Sequence, residues 1–123
     1  MRGDCVRATG GETVEEPGRL FDLVVSCEGA QVIELEIRKG VFVRYTDGML
    51  TLDMGDEGYG RDQRSIELGE LRDLRVLSDT TMVEIFANGG EAALTSRTYS
   101  PAVPAMELHA EGAASMNFYR LVH

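Results

Sequence analysis

Apolar and polar residues alternate along most of this chain with a period of two, and no apolar stripe recurs every 3.6 residues for as long as three turns. Residues 32–38 show the pattern most cleanly, with Ile33, Leu35 and Ile37 set against Glu34, Glu36 and Arg38. That is a strand with one buried and one wet face. Residues 20–26 are denser, with Phe21, Leu23 and Val25 on one side, and predict a buried strand ending in a turn at Glu28-Gly29. After Lys39-Gly40 the next strand covers residues 41–45. A two-residue loop there would put Arg44 opposite Leu35 on the core face. A three-residue loop that takes in Val41 pairs Ile37 with Val43 and Leu35 with Tyr45. It keeps the guanidinium out of the core, so it is the expected register. Asp47-Gly48 then closes a hairpin with Tyr45 opposite Leu50 and Val43 opposite Leu52. One apolar face results, built from Ile33, Leu35, Ile37, Val43, Tyr45, Leu50 and Leu52.

Residues 53–64 (DMGDEGYGRDQR) are the longest polar interruption and read as a loop. A short strand at 65–68, or a short helix around 67–73, leads to residues 71–77, where Leu74 and Val76 face inward. Ser78-Asp79-Thr80 is turn chemistry. It delivers the chain into a hairpin over residues 81–99 whose tip carries Asn88-Gly89, the pair that best tolerates positive φ. With those two at the tip, Ala87 faces Gly90, Ile85 faces Ala92 and Val83 faces Leu94. Val83, Ile85, Ala92 and Leu94 then share the core face, and Met82, Glu84, Phe86, Glu91 and Thr95 the other. A turn centred on Gly89-Gly90 also keeps the apolar residues together, but Asn88-Gly89 at the tip is the expected register. Pro101 and Pro104 mark a crossover. Met106, Leu108 and Ala110 alternate with Glu107 and His109, Glu111-Gly112 reads as a turn, and residues 114–122 form the last strand. About ten short strands with turn signals every 8–12 residues predict an all-β fold, a two-sheet antiparallel β-sandwich of jelly-roll or lectin-like form. Residues 20–123 would form the sandwich. Residues 1–19, broken by Gly10-Gly11 and Pro17-Gly18, read as a linker remnant or a first edge strand.

Charge narrows the partners. The 123 residues carry a net charge of −9, with a pI near 4.6. Such a surface does not attract nucleic acid or an anionic membrane. No apolar run approaches the roughly 20 residues of a membrane span, and residues 1–11 lack the apolar segment of a signal peptide. Cys5 and Cys27 read as two unrelated thiols in a reducing compartment, which favours the cytoplasm. No CxxC occurs, and His109 and His123 lie far from both cysteines, so neither a metal site nor a cofactor is expected.

The run 74–91, LRVLSDTTMVEIFANGGE, followed by AALTSR, closely resembles the C-terminal β-sandwich of glycoside hydrolase family 32, the family of invertases, sucrose-6-phosphate hydrolases, levanases and inulinases. The family signature, "L.(I/V)..D.SSVEIF.N.GE..(L/F)(T/S).R", is matched at Asp79, Val83, Glu84, Ile85, Phe86, Asn88, Gly90, Glu91, Thr95 and Arg97. Thr80-Thr81-Met82 departs from its serine pair. Leu50-Thr51-Leu52-Asp53 is similar to the family's "L.LDR" strand, with Met54 in place of arginine, and 60–64 (GRDQR) is similar to the loop that follows. Arg2-Gly3 is similar to the end of the interdomain linker. The resemblance implies a domain whose partner is an N-terminal five-bladed propeller that performs the hydrolysis. Retaining hydrolysis needs two carboxyl groups about 5–5.5 Å apart. The family's "NDPNG" and "EC(P)" motifs that supply them are absent here, since Cys27-Glu28 is reversed. The expected role is therefore non-catalytic: bracing the propeller of a β-fructofuranosidase, with a homodimer contact as a further role. The alternative is a fructan-binding module.

Glu84 and Glu91 look like an acid pair. In the first register Glu84 opposes Ala93 and Glu91 opposes Phe86, which places both on the wet sheet face. A catalytic role would require one of them to be desolvated, and no neighbour in sequence promises that. Asp79, Glu84, Asn88, Glu91 and Arg97 are expected to hold the fold or an interface. Tyr59, with Arg61 and Arg64 beside it in the polar loop, is the candidate contact for a weakly bound fructoside, in a chain with no Trp to stack on a sugar ring.

Overall fold

In chain order the strands are β1 (Arg2–Thr9), β2 (Thr13–Glu15), β3 (Phe21–Arg38), β4 (Val41–Thr46), β5 (Met49–Asp53), β6 (Gln63–Glu67), β7 (Asp73–Ser78), β8 (Met82–Ala87), β9 (Ala92–Arg97), β10 (Ala105–Glu107) and β11 (His109–Leu121). They are seen in a computed structural model that describes residues 2–9, 13–15, 18–54, 63–98 and 101–121. The fold is an antiparallel β-sandwich, and β3 is its spine. Its first half pairs with β7, from Phe21↔Ser78 to Ser26↔Asp73, and its second half pairs with β4, from Val32↔Thr46 to Arg38↔Val41. Along its other edge β11 follows it through both halves. One sheet is thus β6-β5-β4 with the far ends of β3 and β11. The other is β9-β8-β7 with their near ends and β1 at the edge. The short pair β2–β10 lies apart.

This corrects two expected turns. Glu28-Gly29 and Glu111-Gly112 are both interior to strands, and they fall together where the β3–β11 register shifts between Glu111↔Val32 and Ala113↔Glu28. Glycine inside a strand marks a bend or bulge as readily as a turn. Here it marks the place where the two strands cross from one sheet to the other. No helix forms around 67–73 either; β6 runs to Glu67 and an irregular corner follows.

The β3–β4 connection is a two-residue turn, not the expected three-residue loop that takes in Val41. Lys39-Gly40 forms it, with Gly40 at φ 77° and Arg38 opposite Val41. A bulge between Glu36 and Arg38 then sets Leu35↔Val43 and Ile33↔Tyr45, so the expected Ile37–Val43 and Leu35–Tyr45 pairs do not form. Arg44 stays outside, as the three-residue loop was expected to ensure. The bulge instead turns Arg38, read as a wet-face residue, into the interior, where it is 0% exposed. The Asp47-Gly48 hairpin has the expected register, with positive φ at both residues. All seven residues of the predicted apolar face are buried. They meet Phe21, Leu23, Val25, Leu74, Val76, Val83 and Ile85 from the second sheet, and Met116 and Phe118 from β11. Phe21 and Phe118 pack with ring centroids 5.3 Å apart.

Cys27 sits in this core as a free thiol. Burial, with the Asp73 charge adding to it, pushes its pKa up from 9.0 to about 11. The folded state therefore holds the thiol proton more tightly than the unfolded chain does. This contribution to stability is intact below about pH 9 and is lost as pH rises through about 11. At pH 8 only about one molecule in a thousand carries the thiolate at this site. Alkylation by iodoacetamide at Cys27, followed by mass spectrometry, should be negligible in the native protein and appear only on unfolding.

Candidate functional site

The tip of the signature hairpin is a four-residue turn, Asn88 to Glu91, of 3-10 type. Ala87 pairs with Ala92, Ile85 with Leu94 and Glu84 with Thr95. This is the register centred on Gly89-Gly90, and it corrects by two residues the expected one with Asn88-Gly89 at the tip. The shift is even, so Val83, Ile85 and Ala92 keep the core face they were expected to have. Asn88, Gly89 and Gly90 take φ of 53°, 70° and 97°. The longer turn leaves the Asn88 side chain free to bend inward, where it is 8% exposed. Its Oδ1 accepts the Arg72 N–H at 2.7 Å and, less closely, that of Asp73 at 3.4 Å. Its Nδ2 donates to the Glu70 carbonyl at 2.8 Å and to Glu91 Oε2 at 3.2 Å. Asp73 Oδ1 in turn accepts the Gly89 N–H at 3.0 Å. Asn88 thus ties the turn to the corner that precedes β7.

At the other end of the hairpin Arg38 does the same work. Its Nη1 donates to the Asp79 carbonyl at 2.7 Å and more distantly to Ser78 Oγ at 3.4 Å, and its Nη2 donates to the Thr80 carbonyl at 3.0 Å. Burial lowers the guanidinium pKa, the Arg19 charge lowers it further and Asp79 partly offsets both. The Asp79 carboxylate bonds the Thr80 N–H at 2.6 Å, which shapes the same corner. Sequence reasoning missed Arg38, because its only signal was a cation beside a turn.

The structure does not assemble the predicted acid pair. Glu84 lies mid-strand opposite Thr95, while Glu91 belongs to the turn, with three residues of β8 between Glu84 and Asn88. Ala93, not Glu91, faces Phe86. Among the described residues Asp79, Glu84 and Arg97 form no ion pair with one another. Of the loop candidates, Tyr59 and Arg61 lie outside the described residues. Arg64 belongs to β6, opposite Leu52, and not to the loop.

A shallow cleft of about 220 Å³ lies on the outer face of the β3–β4 sheet, lined by Glu34, Glu36, Phe42, Ala105, Glu107 and His109. The alternation that put Glu34, Glu36, Glu107 and His109 on wet faces was visible in sequence; their convergence was not. These carboxylates are already engaged. Arg44 donates from Nε to Glu34 at 2.7 Å and from Nη1 to Asp53, while its guanidinium lies 4.5 Å over the Phe42 ring. The Glu34 hydrogen bond, above all, raises the pKa of Arg44. Glu36 accepts the Gly40 N–H at 2.9 Å, and Glu107 sits 3.4 Å from His109 Nε2. Each of the three carboxylates thus has a partner within the protein. Among the described residues no cluster of His, Cys, Asp and Glu could hold a metal ion.

Comparison with known proteins places this arrangement. Residues 32–121 match the family model described as glycosyl hydrolases family 32 C terminal. No curated protein matches the chain in a sequence search. Among solved structures, sucrose-6-phosphate hydrolase from Lactobacillus gasseri is similar at TM-score 0.80 and 17% identity, over 98% of this chain and 28% of that one. The exo-inulinase of Aspergillus awamori matches at TM-score 0.73 and 16% identity, over 98% and 29%. A β-fructofuranosidase of Bombyx mori matches at TM-score 0.73 and 19% identity, over 98% and 27%. The chain therefore spans less than a third of the length of each.

Proposed function

This chain belongs to the family of C-terminal domains of glycosyl hydrolases family 32, and from that premise we propose that it is the non-catalytic β-sandwich of a β-fructofuranosidase, bracing a separate catalytic domain. The observation that carries the reading is how Asn88 of the signature and the buried Arg38 are used. Asn88 holds the corner before β7, and Arg38 holds the corner before β8 through the backbone of Asp79. Side chains committed to strand ends in this way serve architecture, and the carboxylates of the cleft are committed as well. A stable, correctly curved sandwich is what a neighbouring domain needs to pack on.

The 123-residue chain alone should release no fructose from sucrose, sucrose 6-phosphate or levan. Measurable release, abolished by no contaminant-removal step, would overturn the non-catalytic role. Titration with levan oligosaccharides should leave the amide resonances unmoved at millimolar sugar. Shifts at the β3–β4 cleft would instead support a fructan-binding module. The proposal includes a cytoplasmic setting, which the free Cys27 thiol supports. It also includes a homodimer contact, which sedimentation across a concentration range would reveal.

A further inference from the structure

Asn88-Gly89 is the chain's single Asn-Gly step, the pair most open to intramolecular deamidation; the other asparagine, Asn117, precedes Phe118. In that reaction the Gly89 backbone nitrogen gives up its proton to solvent base and attacks Asn88 Cγ. The Cγ–Nδ2 bond breaks, and the nitrogen takes a proton from water and leaves as ammonia. A second water opens the resulting succinimide at either carbonyl, leaving aspartate or isoaspartate at position 88. Glycine favours the attack because no Cβ crowds its nitrogen. Gly89 is exposed, and even a Cβ built on it would meet nothing within 4 Å. Crowding around the glycine therefore offers no protection.

Three features of the turn do protect it. The first is the Asn88 backbone, at φ 53°. A residue with a Cβ at that φ is confined to ψ of about +30 to +60°. Its Cβ and the next nitrogen then lie on opposite sides of the Cα–C bond. The five-membered ring needs them on the same side and nearly eclipsed, so the bond must rotate by far more than a right angle. The second is the side-chain amide, held at both ends by the Arg72 N–H at 2.7 Å and the Glu70 carbonyl at 2.8 Å. The third is the nucleophile itself, whose N–H donates to Asp73 Oδ1 at 3.0 Å. A carboxylate beside that nitrogen opposes the negative charge it acquires on deprotonation. All three depend on the turn staying docked against residues 70–73, so they are lost together when it opens.

We propose that Asn88-Gly89 is a latent modification site: the docked turn blocks deamidation and its opening releases it, so position 88 records how long the chain has been open. The product does not fit the turn it came from. Aspartate at 88 has no donor for the Glu70 carbonyl, and it sets a second carboxylate beside Glu91 Oε2, which the Asn88 amide approaches to 3.2 Å. Isoaspartate adds a methylene to the main chain of a turn whose flanking residues, Ala87 and Ala92, are paired. Deamidation thus converts a reversible opening into a permanent one.

Incubation at about pH 8 and 37 °C, followed by peptide mass spectrometry, reads the site in the unaltered protein. The native 123-residue chain should deamidate at Asn88 more slowly, by about tenfold or more, than the same chain unfolded in guanidinium chloride. Equal rates in the two states, conversion of Asn117 ahead of Asn88, or no conversion in either state would each overturn the proposal. The fate of the product is read separately. Protein deamidated while unfolded, then returned to native buffer and separated by charge, should unfold at a lower urea midpoint than unmodified protein from the same tube. Failure of the deamidated form alone to refold would support the same conclusion. A midpoint equal to that of the unmodified protein would show that the turn readmits its product, and the opening would then leave no lasting mark.

Discussion

Replacing Arg38 by alanine should cost about 3–5 kcal/mol of folding stability, a large share of the roughly 5–15 kcal/mol available to a domain of this size. The side chain is 0% exposed and its guanidinium serves the Asp79 and Thr80 carbonyls together with the Ser78 hydroxyl. Truncation removes those donors at once. A buried acceptor left without a partner costs about 1–3 kcal/mol, and the space left by a large side chain adds to that. Two further substitutions separate the contributions. Arg38→Met keeps most of the packing and none of the donors, and should recover only about 1 kcal/mol of the loss. Arg38→Lys keeps the charge but cannot span two carbonyls with a planar fork, and should fall between wild type and methionine. Urea unfolding with an unchanged m-value would report the effect as a shift in midpoint alone. A loss below about 1 kcal/mol for alanine would mean that water replaces the guanidinium, and the clamp would then be incidental.

Arg38 also shows where the sequence stops being legible. The period-two alternation gave the apolar face from Ile33 to Leu52 correctly, because each of those residues obeys the pleat. The Asp47-Gly48 hairpin was read correctly because two positive-φ residues leave a single tight solution. Arg38 breaks the alternation through a bulge, and a bulge has no sequence mark of its own. Two Glu-Gly dipeptides were misread for a related reason. Glycine permits a turn, a bend or a strand crossing, and only the pairing of β3 with β11 over their whole length decides among them. The signature hairpin was legible by face and misread by register, since a shift of two residues preserves every inward position. What decided it was the Asn88 side chain, whose partners at Glu70 and Arg72 lie 18 and 16 residues away in the chain. The cleft beside Glu36 draws on β3, β4, β10 and β11, and so was beyond any local pattern.

Asn88 should be the second most sensitive position, and its variants distinguish backbone strain from hydrogen bonding. Asn88→Ala should destabilise by about 2–4 kcal/mol. The Arg72 N–H and the Glu70 carbonyl lose their partner, and alanine at φ 53° adds about 1 kcal/mol of left-handed strain. Asn88→Gly removes that strain and should regain about 1 kcal/mol, leaving the hydrogen-bond loss exposed as the remainder. Asn88→Asp is the sharper test because it alters charge without altering shape. The introduced carboxylate still accepts from Arg72, but it cannot donate to Glu70 and it faces Glu91, to which Asn88 donates in the wild type at 3.2 Å. Burial and that like charge would raise the introduced group's folded pKa above its unfolded value near 3.9. The folded state then prefers the protonated form. Stability should be close to wild type below about pH 4 and should fall as pH rises through the raised value, a slope opposite to that of a salt-bridged carboxylate. Thermal melts of Asn88→Asp and wild type between pH 3.5 and 7 would measure the difference. Parallel curves would show that the Glu70 and Glu91 contacts contribute little, and that the turn is held by its glycines alone.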